Sequence, residues 1–255
     1  MPPVKAKCRL GHKPRTLNRT PRKWAGFDLQ RDPERRLFAG VLLANVPVTP
    51  DTWIEVMQPD LGQLVFFASV GHGRVRAYFG YPKDTHHRFQ GAADLPRFIT
   101  ESLRTGAAAD LLTNAHAIGP LATFEADDVW VEHPYKAGVA LIGDAGATCD
   151  PTFGQGLSLT LRSVRLLRDQ LLNHENWDVA GQAYAEEHSR HYYVIHTIED
   201  WFRTLFLETG SAAEARRARA FPLHAEDGSR MPDLFGLGPD TPINETVRRR
   251  FFGEE

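Results

Sequence analysis

The stretch VALIGDAGATCDPTFGQGLSLTLRSVRLLRDQLL, Val139 to Leu172, decides how the rest of the chain is read. Four apolar residues run into Gly143 and Asp144, and a loop carrying Pro151, Gly154 and Gly156 follows. Apolar residues then recur at Leu157, Leu161, Val164, Leu167 and Leu171. Spacings of three and four put these on one stripe of a helix. The opening run is short, β-branched and flanked by glycines, so it reads as a buried strand. The unit is strand, glycine-bearing loop, helix. An Asp just beyond a buried strand stands where α/β sheets place ligand-contacting groups, and its carboxylate accepts hydrogen bonds from hydroxyls. A phosphate would be met instead by the unpaired N–H groups of the helix start, which glycines allow a ligand to approach. A ligand with a polyol beside a phosphate suits both halves. The same residues also fit a purely local role, with Asp144 capping the turn and the glycines tightening it.

G-D followed by P-x-x-G-x-G-L and a leucine-rich helix resembles the second flavin-binding motif of the class A FAD-dependent monooxygenases, the para-hydroxybenzoate hydroxylase-like flavoproteins. The resemblance implies that Asp144 contacts the ribityl chain of FAD, with Gly143 beside it among the cofactor-binding residues. It implies that Pro151, Gly154, Gln155, Gly156 and Leu157 lie against the pyrophosphate and the pyrimidine edge of the isoalloxazine, mainly through backbone groups. The parent activity it implies is NAD(P)H-dependent monooxygenation, a hydroxylation or epoxidation of a small organic substrate through a flavin hydroperoxide, with NAD(P)H as electron donor. The commonest form of the motif reads GDAAH. Here Gly143 to Ala147 reads GDAGA, which changes the branch more than the cofactor. The W-x-W-x-I signature of the tryptophan halogenases is not in the chain. No catalytic acid or base stands out.

The resemblance starts at WAGFDLQRDPERR, Trp24 to Arg36, and runs to the C-terminus. A dinucleotide fold ordinarily opens with a strand and a G-x-G-x-x-G turn, and none precedes the central stretch. The expectation is a truncated chain that binds FAD poorly by itself. Its exposed sheet edge would favour self-association or a complementing chain. A non-catalytic interaction module is the alternative. The fold class expected is α/β in the α+β sense: a remnant of a FAD/NAD(P)-binding Rossmann-like domain joined to an antiparallel substrate-domain sheet, with a helical C-terminus.

The 255 residues are 42% hydrophobic, enough for a real core, and the formal charge of -2 gives no general reason to expect nucleic acid. Cys8 and Cys149 are far apart and suit a reducing compartment, hence a cytoplasmic location. No apolar run is long enough to span a membrane. Residues 1–23 are basic and irregular and read as a loosely attached arm. Residues 24–125 read as the substrate-domain-like part. Within it LFAGVLLANV, TWIEVMQ, GQLVFFASV and RVRAYFGY form an antiparallel meander, followed by helices at Asp94–Leu103 and Ala107–Thr113. The return segment around Leu121 to Phe124 is expected to approach a flavin ring or substrate, or to be plain core. Residues 126–175 are the partial FAD-binding unit and 176–255 the helical C-terminal region, opening with a helix over Trp177–Leu207. His86-His87 lacks the neighbours of a metal site. His188, His191 and His196 read as solvated or capping residues, and Phe251 and Phe252 as the anchors of a chain end that folds back.

Overall fold

A computed structural model describes residues 19–33, 35–84 and 88–255 of the chain. Cys8, His86, His87 and the first 18 residues of the expected basic arm lie outside the described residues. Residues 19–24 of the segment that follows form a short helix, α1 (Arg19–Trp24), in which Arg22 is buried. A two-residue strand, β1 (Gln30–Arg31), comes next.

β2 (Arg36–Ala44), β3 (Trp53–Gln58), β4 (Gln63–Ser69) and β5 (Arg74–Pro82) follow, then α2 (Leu95–Arg104), α3 (Ala109–Leu112), β6 (His116–Ala117) and β7 (Ala122–Glu125). The six strands β2 to β7 make one antiparallel sheet, ordered β3-β4-β5-β2-β6, with β7 also on β2. The four expected strands are present, but they are not a meander in chain order, because β2 pairs with β5 rather than with β3. The physical reason is burial. RLFAGVLLA is buried along almost its whole length and takes the centre of the sheet, whereas WIEVMQ, with its acid and amide, is half-exposed and takes the edge.

One face of the sheet packs under α2 and α3 through Val41, Val65, Phe67, Val75, Phe79, Tyr81, Phe89 and Phe98. Phe79, Phe89 and Phe98 meet edge to face at 5.7–6.5 Å, the arrangement that ring quadrupoles favour. The other face carries Phe38, Leu64, Phe66 and Tyr78. Two glycines inside the strands set its shape. A Cβ on Gly40 would fall 2.7 Å from the Tyr78 ring, and one on Gly80 would fall 2.8 Å from the Phe38 ring. Both rings therefore lie down against the sheet, which is what an interior strand glycine permits.

The second half is built from β8 (Val129–Trp130), β9 (Tyr135–Lys136), β10 (Val139–Ala140) and β11 (Ala147–Thr148). β8 lies between β1 and β11, and β9 and β10 form a separate hairpin. Every strand pairing among the described residues is antiparallel. The buried strand expected at Val139–Ile142 is corrected here. Only two of its residues pair, with β9 alone, and Val139 and Ile142 are each 38% exposed although Leu141 is buried.

Five helices complete the chain: α4 (Gly156–Asn173), α5 (Trp177–Phe206), α6 (Ser211–Glu226), α7 (Leu234–Leu237) and α8 (Glu245–Phe251). α5 starts where Asn176 accepts hydrogen bonds from the N–H groups of Asp178 and Val179, a side-chain cap of the kind that fixes a helix start. Its apolar face, with Val194, Ile195, Ile198 and Leu205, buries against Phe251 and Phe252 of the returning chain end and Ala220 of α6. α4 packs on α5 through Leu159 and Ser163, while Leu157, Leu161, Val164, Leu171 and Leu172 face outward. The architecture is a mixed α/β fold with an antiparallel sheet core and a C-terminal helical bundle.

Candidate functional site

The Gly143–Leu157 segment folds as two tight turns ahead of a helix. Gly143 has φ +57° and lies against Thr160 of α4, so the first turn folds back on the helix. Its carbonyl accepts from Gly146 N at 2.8 Å. The guanidinium of Arg22 donates to the Asp144 backbone carbonyl, which ties α1 to this turn. The Asp144 carboxylate is exposed and takes part in no hydrogen bond or ion pair among the described residues. Asp150 opens the second turn, Pro151–Phe153, by accepting from Thr152 N at 2.9 Å. Gly154 closes that turn at φ +70°. α4 then begins at Gly156 with no side-chain cap on its first N–H groups, and a Cβ on Gly154 or Gly156 would meet no atom within 4 Å.

The outer wall of these turns faces the β7 edge of the sheet across a groove of about 560 Å³. Asp144, Pro151 and Gly156 line one side, and Thr123, Phe124 and Asp127 the other. Arg31 and Arg88 stand at its rim, 3.7 Å and 2.8 Å from the Glu125 carboxylate. Cys149 also faces the groove, but burial and the surrounding carboxylates push its thiol well above the ordinary range, which suppresses the reactive thiolate. Three of the seven positions singled out in the sequence thus meet in one space. Gly143 is buried in the turn behind it and Gly154 is the hinge between turn and helix. Gln155 is buried and bonds to Phe153 O and Ser158, and Leu157 is 70% exposed away from the groove.

Phe124 and Pro151 also belong to a second space, a cavity of about 130 Å³ on the outer face of the sheet. Phe38, Leu64, Phe66 and Tyr78 form its floor, Glu55 stands at its side, and Pro151 and Thr152 roof it. Sequence reasoning named Phe124 and the Pro151 loop but missed Glu55, although an acid in the middle of WIEVMQ is a signal. A further groove of about 680 Å³ lies on the opposite flank of α4, between Gln155, Leu161 and Leu166 and the Phe235–Pro239 segment. It shares none of the Asp144 side of the site.

Beneath the Pro151 turn sits a buried ionic cluster. Arg203 of α5 donates to Asp128 at 3.1 Å and lies 3.7 Å from Asp150. His196 meets Asp32 at 3.1 Å, and Asp128 accepts from Asp150 N at 2.8 Å. The hydrogen bond to Asp32 raises the His196 pKa, and burial raises that of Asp128 to about 6. Asp32, Asp128 and His196 approach one another closely enough to invite a cation, but Arg203 already fills that role against Asp128. The expected solvated or capping histidines are corrected. His188 and His191 are buried, and burial holds both near a pKa of 4, while His196 is an ion-pair partner.

No family model and no curated protein matches the chain. Solved structures do match it. The flavin-dependent brominase Bmp2 aligns over 89% of this chain and 52% of its own, with a TM-score of 0.60 and 14% identity. The anhydrotetracycline hydroxylase OxyS from Streptomyces rimosus aligns over 91% of this chain and 44% of its own, with a TM-score of 0.58 and 16% identity. The tetracycline destructase Tet(55) aligns over 88% of this chain and 55% of its own, with a TM-score of 0.54 and 18% identity. The chain has a class A flavin-dependent monooxygenase fold. It spans about half the length of these structures. In the chain's version of the flavin-monooxygenase fold, the sheet with its aromatic cavity and the Asp144–α4 turn unit stand side by side and share Phe124 and Pro151. No helix among the described residues is long and apolar enough to cross a membrane.

Proposed function

We propose that the chain forms the substrate side and the flavin-facing wall of an FAD-dependent oxidoreductase, a monooxygenase acting on a small organic substrate with NAD(P)H as electron donor. The observation that carries this reading is the groove in which Asp144, Pro151 and the uncapped start of α4 face the sheet, directly beside an aromatic cavity. The donor set fits FAD. Asp144 offers a free carboxylate to the hydroxyls of a ribityl chain, and Gly156 opens a path to helix N–H groups that stabilise negative charge. Gly143, Gly154, Gln155 and Leu157 would act through backbone position. Bound there, FAD would supply the redox chemistry that reacts with dioxygen. The chain's own residues would orient the substrate over Phe38, Phe66 and Tyr78 and exclude water from it. The remnant of a Rossmann-like FAD domain is, in this reading, the unit from residue 126 to 175, and the two-cysteine composition points to the cytoplasm.

Titrating the isotope-labelled protein with FAD, followed by NMR, tests the proposal even at weak affinity. The amides of Gly143, Asp144 and Gly154 to Leu157 are expected to shift. Asp144→Ala is expected to weaken binding by about 1.5–3 kcal/mol through the lost charge-assisted hydrogen bonds. Equal affinities for the variant and the parent would overturn the assignment.

A second reading is favoured by one observation. Leu157, Leu161 and Leu172 of α4 are 70%, 62% and 77% exposed on one helix, more apolar surface than a lone helix face ordinarily leaves in water. An interaction module that covers this face with another polypeptide, without turning over a substrate, accounts for it.

A further inference from the structure

The cavity beside the groove has a composition that selects among substrates. Its eight lining residues are Phe38, Glu55, Leu64, Phe66, Tyr78, Phe124, Pro151 and Thr152, which include one acid and no basic side chain. The strand register makes this a continuous surface. Glu55 pairs with Phe66, Phe66 with Tyr78, and Tyr78 with Gly40, while Leu64 pairs with Gly80, Gly80 with Phe38, and Phe38 with Phe124. Four rings therefore lie next to one another at 5.9–6.4 Å between centroids. Gly40 and Gly80 let two of them lie flat enough to leave room above.

Two polar groups break this aromatic surface, and neither is satisfied by the protein. The Glu55 carboxyl is half-buried and forms no hydrogen bond or ion pair among the described residues. The Thr152 hydroxyl is buried without a hydrogen-bond partner, on a residue only 8% exposed. Burial first, and then the nearby Asp150 carboxylate, raise the Glu55 pKa to about 7. With no basic side chain in the lining, an ionised Glu55 has no counter-charge inside the cavity, so an anionic ligand is disfavoured. A neutral arene would fill the space but leave Glu55 and Thr152 unpaired, which is costly for buried polar groups. A cation answers the aromatic walls and the carboxylate together, because ring faces attract it most strongly where water is excluded and a carboxylate beside it regains a counter-ion. At about 130 Å³, the cavity is near the roughly 150 Å³ at which an engineered apolar cavity admits benzene. It therefore takes a head group, with the remainder of a larger molecule reaching into the groove.

We infer that this cavity binds the ammonium or methylated-ammonium head of an organic amine, with Phe38, Phe66, Tyr78 and Phe124 as its cage and Glu55 as its counter-ion. The inference rests on reading the cavity as the substrate side of the site. Its test is made without flavin, so that the two can fail separately.

Choline and its neutral isostere 3,3-dimethylbutan-1-ol are suitable probes. Each is titrated by NMR or calorimetry into the full chain at about pH 8, above the Glu55 pKa of about 7. Choline is expected to bind saturably and at least about ten-fold more tightly than the isostere. Glu55→Gln is expected to abolish that preference while leaving the isostere's weak binding unchanged, and this second probe also reports that the variant's cavity is intact. Tyr78→Leu is expected to weaken choline through loss of a ring. Equal binding of the two probes by the parent would overturn the inference. So would undiminished choline affinity in Glu55→Gln, or the absence of saturable choline binding by the folded parent chain.

Discussion

Glu199 shows how a single residue can couple this fold to pH. Its side chain is fully buried near Asp128 and Asp150; the Asp150 backbone N–H approaches it, yet neither carboxylate oxygen forms a full hydrogen bond among the described residues. Burial, reinforced by those two acids, raises its pKa well above the ordinary 4.5, so the folded chain keeps a proton that the unfolded chain releases. The sign follows from linkage. As pH rises above the unfolded value, the unfolded state binds fewer protons, and stability falls by up to about 1.4 kcal/mol per pH unit until the folded group also ionises. Glu199→Gln removes that slope. Denaturant unfolding of parent and variant between pH 5 and about 9 is expected to show a gap that widens in favour of the variant as pH increases. A gap independent of pH would mean that Glu199 is ionised in the folded chain. The His196–Asp32 pair works differently. His196 is raised and Asp32 lowered by their mutual hydrogen bond, so their contribution is largest between those two pKa values and fades at either end.

At the scale of elements, α4 carries the clearest consequence. Its inner side needs only Leu159 and Ser163 to pack on α5, and the leucine stripe is left to water. The exposed side chains of Val139 and Ile142 add apolar surface near the same unit. A second copy of the chain presents the same face, so self-association through α4 is expected in size-exclusion chromatography with light scattering. Leu161→Glu together with Leu172→Glu is expected to return it to monomer without loss of helicity. A parent that elutes as a monomer at all concentrations would remove the argument.

The same helix shows what the sequence could and could not reveal. Periodicity gathered Leu157, Leu161, Val164, Leu167 and Leu171 on one stripe of a helix, because side-chain spacing is local. What covers a stripe is a long-range property, and here most of it stays exposed among the described residues. α5 was legible nearly to the residue, since its apolar positions recur over 30 residues and Asn176 marks its start. The order of the sheet was not, because chain order suggested a hairpin series whereas the burial of Leu37 to Leu43 decided which strand sits in the middle. Asp144, Pro151 and Gly156 were found because they lie close together in sequence. Thr123 and Phe124 were named with the return segment, whereas Glu55 reaches the site only through the pairing of β3 with β4, and Asp127 only because β7 pairs with β2 just before it. The interior glycines Gly40 and Gly80 were the available hint that rings lie flat on that face.

For the molecule as a whole, two concave spaces are built by different parts of the chain and meet at one turn. The sheet contributes the aromatic cavity, the segment from Asp144 to α4 contributes the groove, and Pro151 and Phe124 belong to both. The turn is itself anchored from below, where Asp150 joins Asp128 and Arg203 of α5. A wall shared in this way is the place where occupancy of one space would be felt in the other. By thermodynamic reciprocity, whatever factor an amine in the cavity applies to the FAD affinity of the groove, FAD must apply to the affinity of the amine. Titrating each in the presence of the other should return the same factor from both directions. A factor of one would mean that Pro151 separates the two spaces as a rigid partition, and any other value would measure how far that single proline turn yields.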